Sequence, residues 1–155
     1  MSALSDVQPQ RWHHYFAAAA NNAAWPLAEL ANGAFDVKTL LNAAHASAWH
    51  WQHAGSALQH MRALMLLAQA HAQSGLGTTA YAWAEEMRSY FLGKEDTPDW
   101  EIAFVHVVHA LAAYAAGERS QYLQSYALAV ETTKAITNPE DHRIVAAVLH
   151  QVPSP

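Results

Sequence analysis

The stretch His71-Ala72-Gln73-Ser74-Gly75-Leu76-Gly77-Thr78-Thr79-Ala80 decides the fold. An alanine-rich apolar run ends at Gly75 and another begins at Thr79. Glycine thus occupies the C′ position, where a helix closes through left-handed backbone. The same device stands 42 residues earlier at Gly33 and 42 residues later at Gly117. An evenly repeated helix–turn–helix predicts stacked helical hairpins. Alanine has the highest helix propensity, and β-branched runs are nearly absent, Val105-His106-Val107-Val108 being the main one. The expectation is an all-α single domain over residues 1–155. Three hairpins fall at about 10–54, 56–92 and 98–137, and a C-terminal helix over 139–151 caps the exposed end of the stack.

Outward from that stretch, each helix has a readable start or stop. The first runs from about Gln10 to Ala24, where Trp25-Pro26 breaks or kinks it. Asp36 and Ser56 are N-caps. Thr97-Pro98 reads as N-cap and first helical residue, and Asn138-Pro139-Glu140-Asp141 repeats the pattern of cap, proline and acid.

Composition excludes several function classes. The net charge is −5 with histidines neutral, and no block of Lys and Arg is present. The electrostatic footprint of a nucleic-acid binder and the basic face of a membrane-surface helix are both missing. The chain has no cysteine, which excludes disulfides, thiol catalysis and thiolate metal sites. The start lacks a basic segment followed by an apolar one, and no stretch approaches ~18 uninterrupted apolar residues. Cytoplasmic residence is expected.

Residues 57–134 resemble the tetratricopeptide (TPR) pattern. In the second hairpin Leu64, Leu67, Ala68, His71, Gly75, Ala80, Ala84 and Met87 fall on its packing positions. In the third, His106, His109, Ala110, Ala113, Gly117, Tyr122, Tyr126 and Ala129 do. The period of 42 exceeds the ~34 of the common repeat, and His71 and Ala113 stand where the family favours tyrosine. The strings His45-Ala46-Ser47, His50-Trp51, Arg62-Ala63, Asp99-Trp100-Glu101 and Pro139-Glu140-Asp141 look like a group of bacterial TPR-like proteins of uncharacterised function. The resemblance implies a right-handed solenoid whose first helices line a concave face. It also implies a shared site around His45–Trp51, without supplying a reaction.

Eleven histidines demand weighing. His50/His53 and His106/His109 have the i, i+3 spacing of a chelating pair on a helix, and imidazole binds zinc, copper or nickel without cysteine. The competing reading makes His106 and His109 satisfied packing residues and sets His50 and His53 against a helix C-terminal dipole. A stack also separates the two pairs by a whole hairpin. No H-E-x-x-H, no G-x-S-x-G and no phosphate-cradling glycine loop is present. Glu101 fits a charge at a helix N-terminus as well as it fits an acid/base.

Projection of the pattern puts Ala20, Ala23 and Leu27, then Arg62, Met65 and Gln69, then Phe104, Val107, Leu111 and Tyr114 on the concave face. The result is an apolar groove with one cation, unless the last helix covers it. Three functions remain, the third being pH sensing through protonation of the eleven histidines. The first is a non-catalytic module for a protein partner or for self-association as a homodimer. The second is a small-molecule binder or metal-dependent enzyme using His45, His50, Trp51, Arg62 and Glu101.

Overall fold

The computed structural model describes residues 8–30 and 36–155. Its described residues form seven α-helices and no strand. They are α1 (Pro9–Ala28), α2 (Val37–Ala54), α3 (Ala57–Gln73), α4 (Gly77–Leu92), α5 (Asp99–Ala116), α6 (Arg119–Ala135) and α7 (Pro139–Leu149). The all-α expectation is met. The turn expected at Gly33 lies outside the described residues.

The helix ends follow local chemistry. Gly75 and Gly117 have φ of 77° and 78°, the left-handed backbone that only glycine adopts at little cost. Each closes a helix in the same way. The Gly75 and Leu76 N–H groups donate to the carbonyls of Ala72 and His71, and those of Gly117 and Glu118 donate to Tyr114 and Ala113. Asp36 caps α2 by accepting from the N–H of Lys38 at 3.0 Å and of Thr39 at 3.3 Å. Asn138 caps α7 in the same fashion. At α5 the start is one residue later than expected. Pro98 is the cap, and Asp99 accepts from its neighbour Trp100 and from the N–H of Thr137, tying the end of α6 to the start of α5.

One expected break is absent. Helix α1 continues through Pro26 to Ala28, although Pro26 has no N–H to give to the preceding turn. Its frayed end is held from outside. Gln73 Nε2 donates to Ala28 O at 2.7 Å, and Gln151 Nε2 donates to Glu29 O at 3.1 Å. Side chains from α3 and the C-terminal tail thus satisfy carbonyls that a helix end leaves open.

Every helix packs on its successor, and each odd-numbered helix also packs on the next odd-numbered one. No two even-numbered helices pack together among the described residues. The odd-numbered helices therefore form a continuous row. Helix α5 is the centre, touching α3, α4, α6 and α7. The larger core gathers around it, with Met65, Met87, Phe91, Val105, Val108, Leu111, Val145 and Val148. A smaller core of Ala24, Ala28, Leu40, Ala44, Leu66, Leu67 and Ala70 joins α1, α2 and α3. Gly77 marks the closest approach. A Cβ there would lie 2.1 Å from Ala115 O, so α4 docks backbone against backbone on the end of α5.

Candidate functional site

The row of odd-numbered helices carries a cavity of about 400 Å³. Helix α1 contributes Asn21, Trp25 and Glu29, α3 contributes Arg62 and Met65, and α5 contributes Trp100, Glu101 and Phe104. Asp141, Ile144 and Val145 of α7 close one side. Trp25 and Phe104 form an aromatic wall, with ring centroids 5.5 Å apart.

At the centre stands an ion pair. Arg62 Nε donates to Glu101 Oε1 at 2.7 Å and Arg62 Nη2 to Oε2 at 3.1 Å. The guanidinium lies 5.5 Å from the Trp100 ring centroid, a cation–π distance. Glu101 is 2% exposed and Arg62 45%. The buried carboxylate fixes the half-exposed guanidinium in place, and its hydrogen bonds raise the guanidinium's proton affinity further. Two of five N–H donors are used, so the remainder are available toward the open side.

The structure distributes the sequence-derived candidates unevenly. Arg62, Glu101, Met65 and Phe104 share the cavity. Gln69 does not; it is fully buried, with Nε2 turned to Ala28 O at 3.4 Å. Val107 and Leu111 are buried in the core that also holds Val148 of α7, and Tyr114 is exposed beside Tyr122. The last helix thus shares the core that holds one part of the projected face and lines the cavity at another. From α1 the lining is Asn21, Trp25 and Glu29 rather than Ala20, Ala23 and Leu27. Ala17, Ala24 and Ala28 take the close helix contacts, where only small side chains fit, and the bulky Trp25 is left facing space.

His45, His50 and Trp51 are kept apart from that cavity and from one another. His45 lines a second cavity, also about 400 Å³, with Trp49, His60, Met61, Trp83 and Glu86 among its walls. His50 Nδ1 is 2.8 Å from His13 Nδ1, while His53 packs on His13 with centroids 4.5 Å apart. Trp51 meets His14 edge-on. His71, which sequence reading treated as packing, lies 3.3 Å from His45 between their Nε2 atoms. Those two histidines are 26 residues apart on different helices, and no spacing rule links them.

The α5 histidines are buried. His109 Nδ1 accepts from Ser125 Oγ at 2.7 Å, and its Nε2 donates to Glu85. A Ser–His–Glu chain invites a relay reading, but Ser125 and His109 have no exposed surface for a substrate to reach. Burial is the main reason that His109 titrates below the usual histidine range. Burial, then the positive Arg88 and, once protonated, His109, lowers His106 to about 4. Its Nδ1 has no hydrogen-bond partner. Both are neutral packing residues at neutral pH.

Among the described residues, no group of three or more His, Asp or Glu side chains is arranged around a metal position, and no helix is long and apolar enough to cross a membrane. Comparison with family models, with curated proteins and with solved structures gave no match.

Proposed function

We propose that this chain is a non-catalytic interaction module built as a TPR-like stack of hairpins, and that the odd-helix cavity is its binding face. The observation that carries the reading is the cavity itself: aromatic and aliphatic walls around a guanidinium held in place by a buried glutamate. Such a concave, mostly apolar site with a few placed polar groups is the usual form of a recognition pocket. The repeated glycine closures at Gly75 and Gly117 and the contact between successive odd helices support the stacked-hairpin reading.

Charge selects the occupant. Glu101 already neutralises Arg62, and Glu29 and Asp141 add two carboxylates to the lining. The best-matched occupant is an apolar segment of a protein partner that carries a basic side chain.

A photo-crosslinking residue at Ile144, on the cavity edge, tests this against one at Leu128 on α6. A discrete adduct is expected from position 144 alone. It should disappear in Asp141→Lys and persist in Glu131→Lys, a charge reversal away from the cavity. Adducts equal at both positions, or insensitive to Asp141→Lys, would remove the cavity from the interface. An adduct with a second copy would replace the partner by self-association.

A further inference from the structure

Two histidine pairs join neighbouring helices, and their geometries differ. His13 and His50 meet through Nδ1 atoms at 2.8 Å, with ring centroids 5.0 Å apart. A straight N–H···N bond of that length puts centroids about 5.1 Å apart, so this is an ordinary head-on hydrogen bond. His45 and His71 meet through Nε2 atoms at 3.3 Å, and their centroids are also 5.0 Å apart. A head-on bond of that length would place the centroids about 5.6 Å apart. The pair is therefore long for a hydrogen bond and bent.

The same two distances suit two imidazoles on one ion. Ligands ~2.05 Å from a tetrahedral zinc are ~3.3 Å apart, and the ring centroids are then about 5.2 Å apart. The tautomer is also set. His71 Nδ1 lies 2.9 Å from Leu67 O, and a carbonyl can only accept, so Nδ1 carries the proton and Nε2 presents its lone pair. Metal-ligating histidines are commonly oriented by such a second hydrogen bond. Trp83 packs edge-on against both rings, at 4.6 Å from His71 and 5.8 Å from His45, and walls the second cavity with His45.

We propose that His45 Nε2 and the buried His71 Nε2 form a two-histidine site for a divalent transition ion of the zinc, copper or nickel class, reached from the side on which His45 lines the second cavity. Borderline-soft ions favour imidazole. With two protein ligands, the ion is exchangeable and the rest of its shell is water or a small donor ligand. The site shares no lining residue with the odd-helix cavity.

The test uses protein freed of any affinity tag and titrated with ZnCl2 by calorimetry, with ring-nitrogen NMR of the histidines. One equivalent should bind, shift the His45 and His71 signals and be released by chelator. His45→Ala, at an exposed position, should fold normally and weaken binding about tenfold or more. His50→Ala should leave it unchanged. Absence of saturable binding up to millimolar zinc would overturn the site. Undiminished binding in His45→Ala, or loss in His50→Ala, would do the same.

Discussion

Helices α1 and α5 both open a hairpin, and both deliver an aromatic ring to the same cavity, yet their energetics are opposed. Twelve residues of α5 are buried, against three of α1, all of them alanine. Helix α5 is enclosed by four neighbours, whereas among the described residues α1 packs on α2 and α3 and reaches α5 through Trp25 against Phe104. Large side chains follow the same division. Phe104 and Leu111 of α5 are buried, while Trp12, Tyr15 and Phe16 of α1 are exposed. A helix enclosed by its neighbours spends its apolar surface on cohesion, and one with few neighbours keeps it available. Perturbations near α5 should therefore damage the fold, and those on the outer half of α1 should leave it intact.

The largest effect is expected where α4 meets α5. Gly77→Ala forces a Cβ to 2.1 Å from Ala115 O, and two backbones cannot both yield without undocking. A loss of about 3 kcal/mol or more in urea unfolding is expected, at the upper end of overpacking costs. Gly75→Ala is the control. It meets nothing within 4 Å but keeps φ at +77°, so its cost should be about 1–2 kcal/mol of backbone strain. Equal costs at the two positions would deny that backbone docking holds α4 on α5.

Acid should act through α5 as well. His106 titrates near 4 in the fold and near 6.5 when unfolded, chiefly because it is buried. The unfolded chain then binds more protons between these values, so this stability is complete above about pH 6.5 and falls as pH drops toward 4. At pH 5 the loss from His106 alone is about 2 kcal/mol, and His109, lowered mainly by burial, adds to it. Thermal melts from pH 7.5 to 5 should show the decline, and His106→Phe should flatten it. An unchanged slope in that variant would move the acid sensitivity elsewhere.

A smaller effect is expected at the cavity. Arg62→Met leaves Glu101 buried without its partner, which costs several kcal/mol for a fully buried pair. Arg62 is 45% exposed, so solvent reduces this to about 1–2 kcal/mol. Adding Glu101→Leu should recover part of the loss, because both charges are then gone. A double variant less stable than Arg62→Met would mean that Glu101 has a structural role beyond the pair.

The readable and unreadable parts of the fold differ for physical reasons. Left-handed backbone leaves a trace in residue type, so Gly75 and Gly117 marked their turns, and Asp36 and Asn138 marked their helix starts. The facing of α1 left none. The buried residues of α1, Ala17, Ala24 and Ala28, are alanines like Ala18 to Ala20 and Ala23, so residue type does not tell its inner positions from its outer ones, and the projected lining lies one or two residues away from Asn21, Trp25 and Glu29. Arg62, Met65, Glu101 and Phe104 were visible because α3 and α5 carry bulkier side chains, among which a charged residue stands out and large apolar ones mark the inner positions. The closeness of His45 and His71 depends on how α2 crosses α3, a tertiary quantity with no spacing signature.

The smallest effect completes the contrast between α1 and α5. Tyr15 is 64% exposed, and among the described residues its ring pairs with Phe16, itself stacked on Trp12 at 6.0 Å. Tyr15→Ser removes no core contact, and surface substitutions of this kind change stability by about 0.5 kcal/mol or less. Urea unfolding at low protein concentration should return the wild-type midpoint. A loss above about 1 kcal/mol that grows with protein concentration would mean that the outer half of α1 is covered by a second copy. The end helix would then be an interface, and its exposed aromatics would contribute to cohesion between chains as those of α5 do within one.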